Sequence, residues 1–336
     1  MQLNILYQSD KNTQLGLGVS IASLLINNRR MREIIIYLID DGIDPSFLKQ
    51  LEVYIGKFRR ELIVIPSRIL LNDSLVKEYP CYTGKRKNKH SYLKLFWDHA
   101  IEKKMERLLY LDCDTIVRSD LSELTTINMG NNIIGMGYDA LITDEIVQIG
   151  LKKEEPYFNS GVILFQTRRW VEENCGKRII QHLKRTGNYG TVDQDVLNVE
   201  FFHQIYALPI EYNFQSIHFI ADVDMYCREF KRTNYYGKNE ILTAASKICI
   251  IHAVKFMGQN TWEKGNRHPC KGYFEEYLKQ TPWKNFYGKR KKTELILAVE
   301  KILYIFLPRR IFVKIFHNVH KLRIEKSILC RNKNRV

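Results

Sequence analysis

Residues 108–117, Leu108-Leu109-Tyr110-Leu111-Asp112-Cys113-Asp114-Thr115-Ile116-Val117, run from an apolar strand straight into two carboxylates one residue apart. Hard divalent cations prefer oxygen ligands, and a diphosphate leaving group needs its charge offset before it departs. Two Asp ending a buried strand can hold such a cation against two phosphate oxygens. Spacing alone says little: 15 Asp in 336 positions give roughly 0.7 Asp-x-Asp pairs by chance. Three are present, Asp112/Asp114, Asp193/Asp195 and Asp222/Asp224. Only the first follows an apolar strand, and the competing reading of it is a pair of loop-capping Asp.

Outward from this stretch, β-like runs alternate with helical spacing. Asn4–Tyr7, Glu33–Leu38, Leu62–Ile65 and Arg107–Leu111 read as strands, with later candidates at Ile133–Met136, Val162–Phe165 and Ile248–Ile251. Leu17, Ile21, Leu24 and Leu25, then Phe47, Leu48, Leu51, Tyr54, Ile55 and Phe58, recur at helical spacing, and His90–Glu102 also reads as helix. Alternation of this kind, with continuously apolar strands, predicts an α/β fold around a mostly parallel sheet buried on both faces. Ligands of such sheets gather at the carboxyl ends of strands. Asp10 and Asn12 follow the first strand, Asp40 and Asp41 the second, Asp112 and Asp114 the fourth. No GxGxxG follows the first strand, which argues against a dinucleotide site.

Three further segments bear chemistry. Phe158-Asn159-Ser160-Gly161 places an amide and a glycine just before a strand, where glycine permits close backbone approach to a ligand, with an ordinary turn into the strand the alternative. Thr191–Asn198 (TVDQDVLN) sets Asp193, Gln194 and Asp195 at a helix start, with Asp193 as a plain helix cap the alternative. His252 ends the apolar run ICIIH; a lone histidine there is more often structural than a ligand. With Asp112 and Asp114 it would complete an O/O/N set suited to Mn2+ or Mg2+.

Charge is unevenly placed. The chain carries 52 Lys+Arg against 37 Asp+Glu, a net of +15. Residues 284–336 hold 15 basic and 3 acidic residues, a net of +12, leaving +3 for the other 283. A basic tail is not a basic groove, so no nucleic-acid partner is expected. At 45% hydrophobic and 26% charged the chain can bury a full core. Seven Cys without a CxxC pair suggest reduced thiols and a cytoplasmic setting. No apolar run is long enough for a spanning helix, and the first ten residues do not resemble a secretory signal.

Taken together, SDKN (Ser9–Asn12), GVSIASLLINN (Gly18–Asn28), LLYLDCDTIV, YFNSGVILF (Tyr157–Phe165) and DQDVLN (Asp193–Asn198) resemble glycosyltransferase family 8 over about residues 3–265. These are retaining, UDP-sugar-dependent transferases of GT-A fold, including lipopolysaccharide galactosyl- and glucosyltransferases and glycogenin. The resemblance implies a Rossmann-like nucleotide-sugar-binding domain and a set of roles. Asp10 and Asn12 would contact uridine. Asp112, Asp114 and His252 would hold Mn2+ or Mg2+ and the UDP-hexose diphosphate. Asp139 would face sugar and acceptor, Asn159 and Asp193 the donor sugar, and Gln194 the anomeric carbon. Two departures stand out. An Arg usually precedes the Asp pair in a YxRL context, where this chain has Lys94 in SYLKL. A usual HxxGxxKPW is replaced by HAVKFMGQNTW (His252–Trp262), leaving Lys255 or Lys264 to grip the diphosphate. Rival readings are a nucleotidyl- or phosphoryltransferase using the same Asp pair, and a catalytically silent nucleotide-sugar or carbohydrate-binding module.

The expected organisation is a catalytic domain over 1–282 and a basic, amphipathic helical tail over 283–336. After Lys289–Lys292, Leu295, Val299, Ile302, Leu303 and Phe306 form one helical stripe. Beyond Pro308, Ile311, Phe312, Ile315, Phe316 and Val319 form a second. Such a helix lies in a membrane interface with cations near anionic head groups. That predicts peripheral attachment to the inner face of the membrane and suits a lipid-linked glycan acceptor. The alternative is that one or both stripes pack on the catalytic domain.

Overall fold

A computed structural model describes residues 2–78, 88–101, 105–187, 189, 191–231, 234–286, 288 and 295–332. The tetrad Lys289–Lys292 and residues 85–87 lie outside them. The central sheet comprises β1 (Gln2–Ser9), β2 (Glu33–Asp40), β3 (Glu61–Pro66), β4 (Arg107–Leu111), β6 (Ile134–Tyr138), β7 (Phe158–Gln166) and β8 (Ile205–Ala207) in the order β3-β2-β1-β4-β7-β6-β8. Four of its pairings are parallel; β7 runs antiparallel to both β4 and β6. The mostly parallel sheet expected from the strand–helix alternation is therefore present.

Alternation along each strand feeds two cores. On β4, Leu109 and Leu111 join a core with the helix Gln14–Asn27, whereas Leu108 and Tyr110 face Trp97, Phe165 and Trp170 on the other side. Val162 and Leu164 against Ile163 and Phe165 repeat the pattern on β7. Burial on both faces explains why these strands are continuously apolar.

A second sheet fixes the site. It contains β5 (Thr115–Val117), β9 (Phe214–Gln215) and β10 (Ile250–His252) in the order β5-β10-β9. Its register sets His252 opposite Thr115, one residue beyond Asp114, and beside Gln215.

Two local expectations are corrected. The segment His90–Glu102 is not an α-helix: Asn88–His99 forms tight 3-10 turns kinked at Phe96. Phe158–Gly161 does not precede a strand but is the start of β7, paired with β6 through a bulge between Met136 and Gly137.

The tail forms two helices, Leu295–Phe306 and Arg309–Asn332. Phe312, Val313 and Phe316 are buried in a third cluster with Tyr226, Phe230, Ile241 and Phe256. Burying one such side chain stabilises docking by about 1.5–3 kcal/mol. Trp283 is also buried and stacks on Phe47 at 4.2 Å, so the packing of the body runs past residue 282. Val299, Ile302, Ile305, Phe306 and Ile311 remain exposed. Part of the second stripe thus faces the body, and an apolar corner beside Arg309, Arg310 and Lys314 faces outward.

Candidate active site

Asp112, Asp114 and His252 meet at the junction of the two sheets. One ligand atom from each lies within 4.8 Å of the others. His252 Nε2 is 3.2 Å from Asp114 Oδ1 and 3.9 Å from Asp112 Oδ2. His252 Nδ1 lies 3.0 Å from Asn213 Oδ1. An amide oxygen only accepts, so Nδ1 carries the proton and Nε2 keeps its lone pair for a cation. Two carboxylates and an imidazole so oriented fit Mn2+ or Mg2+. Burial works against a charged His252, but Asp114, Asp112 and Asp139 outweigh it and hold its pKa above the ordinary value. Burial would likewise raise Asp114, yet His252 and Lys255 hold it below the usual carboxylate range.

Gly161 has a different job from the one its sequence context suggests. A Cβ there would stand 2.0 Å from His252 Cε1, so glycine makes room for the imidazole rather than for a ligand. Cys113, between the two Asp, donates to Gln8 O at 3.2 Å and ties the pair to the end of β1. Burial pushes its thiol up to about 12. Cys113, Cys175, Cys227, Cys249 and Cys270 form no disulfide.

Next to the three ligands lies a continuous buried polar network. Asn213 Nδ2 donates to Asn159 Oδ1 (3.2 Å), and Asn159 Nδ2 donates to Asp139 Oδ2 (3.0 Å) and Gln194 Oε1 (3.2 Å). Gln194 Nε2 donates to Asp139 Oδ2 at 3.1 Å, and Ser160 N donates to Gln194 Oε1 at 3.0 Å. Asp193 accepts from Ser160 Oγ (2.9 Å) and pairs with Lys94 Nζ (2.8 Å). Lys94, 5% exposed, also lies 3.7 Å from Asp112 and 4.2 Å from the centre of the Tyr110 ring. Burial would depress its pKa, but Asp112 and Asp193 reverse the shift and keep the ammonium charged. Tyr110 donates to Asp112 Oδ1 at 2.5 Å.

The helix Asp193–Glu200 puts Asp193 and Gln194 into this network. Val192 precedes it at φ +53, a conformation that strains a β-branched residue and turns both side chains inward. Asp193 is therefore not a helix cap. Its neighbour Asp195 is structural, accepting from Tyr157 and from Thr191 N. Asp222 caps the helix Val223–Phe230.

Eight of the ten expected site residues converge here: Lys94, Asp112, Asp114, Asp139, Asn159, Asp193, Gln194 and His252. Asp10 and Asn12 lie just beyond β1, engaged with each other. Asn12 Nδ2 donates to Asp10 Oδ2 at 2.7 Å, and Asn12 N and Thr13 N both donate to Asp10 Oδ1. Burial opposes ionisation of Asp10, but these bonds hold its carboxyl below the ordinary value. Of the two candidate lysines, Lys255 is the one whose charge weighs on Asp114. Lys264 is exposed, and its backbone N–H donates to Gly288 O.

Tyr110 and Asn213 were not anticipated. Tyr110 had a signal, since two residues before Asp112 on a strand is the same face. Asn213 had none, because only the pairing of β9 with β10 brings it to His252.

The sequence profile of glycosyl transferase family 8 matches residues 4–259. The chain belongs to that family. General stress protein A of Bacillus subtilis (strain 168) is 24% identical over 84% of this chain and 94% of its own length. A lipopolysaccharide 1,2-glucosyltransferase of Escherichia coli (strain K12) is 26% identical over 84% and 79%. The crystal structure of galactosyltransferase LgtC with donor and acceptor sugar analogs superposes with a TM-score of 0.63 at 20% identity, over 84% of this chain and 96% of that one. At that identity the likeness concerns the fold, which is the GT-A fold of these family 8 enzymes. Family membership places the activity among sugar transfers.

Proposed function

We propose that this family 8 enzyme moves a hexose, galactose or glucose, from a UDP-sugar to a hydroxyl of a glycan acceptor, with retention at the anomeric carbon, in lipopolysaccharide or other cell-surface polysaccharide synthesis. The observation that carries the proposal is the Asp112/Asp114/His252 set adjoining the buried Asp139–Asn159–Gln194 network. A divalent cation held by the three ligands supplies electrostatic stabilisation of the UDP leaving group. Asp10 and Asn12 take the uridine, and Lys255 takes part of the diphosphate charge. Asp193, locked by Lys94 and Ser160, and Asn159 orient the sugar hydroxyls.

The Gln194 oxygen already accepts from Asn159 and Ser160 N, and an amide is a poor nucleophile. The reaction therefore proceeds by same-face attack. The bond from C1 to the β-phosphate oxygen breaks, the bond from C1 to the acceptor oxygen forms, and the departing phosphate oxygen takes the acceptor's proton. Asp139 borders the place where the acceptor hydroxyl enters.

Hydrolysis of UDP-galactose and UDP-glucose, followed with Mn2+ and then with EDTA, tests the proposal. UDP release with Mn2+ and its loss in chelator are expected. Pyrophosphate release would indicate a nucleotidyltransferase, binding without turnover a silent module, and full activity in EDTA would remove the metal role.

The outward corner of the tail supports a peripheral site on an anionic cytoplasmic membrane face, next to a lipid-linked acceptor. Among the described residues no helix is long and apolar enough to cross a membrane. Phe306, Ile302, Ile305 and Ile311 would enter the acyl boundary, with Arg309, Arg310 and Lys314 at the head groups, each cation worth about 1 kcal/mol. Sedimentation with anionic liposomes at low salt is expected, and recovery of the protein in the supernatant would refute it.

A further inference from the structure

The segment after His252 departs most from the family pattern, and the tail packs against it. Ala253 N donates to Asp114 O at 2.8 Å, so the loop starts tied to the ligand pair. Phe256 and Gln259 exchange backbone hydrogen bonds at 3.0 Å, closing a tight turn. Within the turn Met257 stands at φ +48, an unfavourable conformation for a side-chain-bearing residue. Beyond these two hydrogen bonds, the turn is seated by side-chain packing. Its anchor is Phe256, 2% exposed, whose ring centre lies 5.1 Å from Tyr304, 6.0 Å from Phe312 and 5.4 Å from Phe316. All three partners belong to the tail. Gly258, at φ +71, is covered by the tail residue Leu297; a Cβ on Gly258 would come within 2.5 Å of Leu297 Cδ1. Phe316 also closes a small cavity shared with Leu141, two residues beyond Asp139, and with Val254 and Lys255.

Resting on the proposed UDP-sugar chemistry, we infer that the tail helices are part of the donor site, because their grip on Phe256 positions Lys255 against the diphosphate. Phe256 is drawn into the tail cluster, and Lys255, its neighbour in the chain, is exposed and lines the same small cavity as Phe316. Only two residues separate Lys255 from His252, and its charge already acts on Asp114. Here the tail does what a local Gly-Lys-Pro-Trp geometry would otherwise do. Phe316 is a positioning residue, acting through Phe256 on Lys255. Removing the whole tail therefore weakens donor handling as well as membrane attachment.

The experiment uses full-length protein with Mn2+, calorimetric Kd values for UDP and UMP, and thermal melts as a folding check. Lys255→Ala is expected to weaken UDP about tenfold, the scale of one charge-assisted contact, and UMP less than twofold. Phe316→Ala should reproduce that pattern, and Phe316→Leu should show a smaller loss if the alanine variant does not fold. The double variant Lys255→Ala/Phe316→Ala should bind UDP no more weakly than Lys255→Ala alone, because both act through one contact. Leu322→Ser, on the exposed side of the tail, should leave both Kd values unchanged. Additive losses, or equal weakening of UDP and UMP, would overturn the inference while leaving the UDP-sugar reading intact. Wild-type protein that fails to bind UDP at all would overturn both.

Discussion

The floor of the cleft and the seam between tail and body both bury charged side chains, but on different terms. In the cleft, Lys94, Asp193, Ser160, Gln194, Asn159 and Asp139 hand hydrogen bonds from one to the next, and Asn213 continues the chain to His252. In the tail, Glu300 is 2% exposed, and neither of its carboxylate oxygens accepts a hydrogen bond among the described residues. Its nearest cation is Arg323, at 3.5 Å. At the seam, Glu145 Oε1 on the body and His317 Nε2 on the tail are buried without a hydrogen-bond partner among the described residues. A satisfied polar network rigidifies, whereas a partly satisfied one subtracts from the apolar contacts around it. The cleft is thus built to hold one geometry. The tail is held by Phe312, Val313 and Phe316 against an electrostatic cost, which favours docking that can be tuned.

The largest effect should come from the cleft. Asp112→Ala or Asp114→Ala is expected to lower UDP-sugar turnover by about 10³-fold, since several kcal/mol of leaving-group stabilisation is removed. Circular dichroism should stay unchanged, because β4 and β5 do not rely on those carboxylates for pairing. Lys94→Met comes next, and it should strike stability as well as rate. Asp193 and Asp112 would lose their shared buried cation, at a cost of about 3–5 kcal/mol. A variant that melted like wild type would show that the cleft is no stiffer than the seam. Gln194→Ala should slow turnover roughly 100-fold without abolishing it, as expected for misplaced geometry rather than a lost nucleophile. Product NMR should still report an α-linkage from an α-linked donor, and a β-linked product would refute the same-face reaction.

How much of this was legible depended on the range of the interactions involved. The strand runs and Asp112/Asp114 are local, and periodicity with strand-end polarity sufficed to find them. Asn159, Asp193 and Gln194 stood out locally, but Asp139 and the roles of all four came from family resemblance, because nothing in their local spacing says that β6, β7 and the helix Asp193–Glu200 meet. Gly161 was misread because the group approaching it, His252, is 91 residues away in sequence. The stripes of the tail were visible, but which face would dock was not. Phe312 and Phe316 resemble Ile311 and Phe306 until Phe256 supplies a partner.

The smallest predicted effect is in the tail, and its sign is opposite to the others. Glu300→Leu is expected to stabilise the packed tail by about 1 kcal/mol at pH 7, since an apolar side chain in place of a poorly paired buried carboxylate is neutral or favourable. The Arg323 side chain left behind is 35% exposed, so the guanidinium can turn its buried Nη2 to water. Burial raises the Glu300 pKa, with Arg323 opposing. The packed state therefore binds a proton more readily than the unpacked one, and the packing free energy contributed by Glu300 falls as pH rises through its packed-state pKa. Across that window the advantage of Glu300→Leu should be widest at high pH and shrink as the carboxyl becomes protonated. His317 and His320, whose pKa values burial lowers, shift the absolute pH profile in both proteins and cancel in the comparison. Protease protection of the tail, compared between wild type and Glu300→Leu at pH 7 and pH 5, reads this directly. A variant less protected than wild type at pH 7 would mean that the Glu300–Arg323 pair fastens the tail, and the contrast between a satisfied cleft and a strained tail would have to be abandoned.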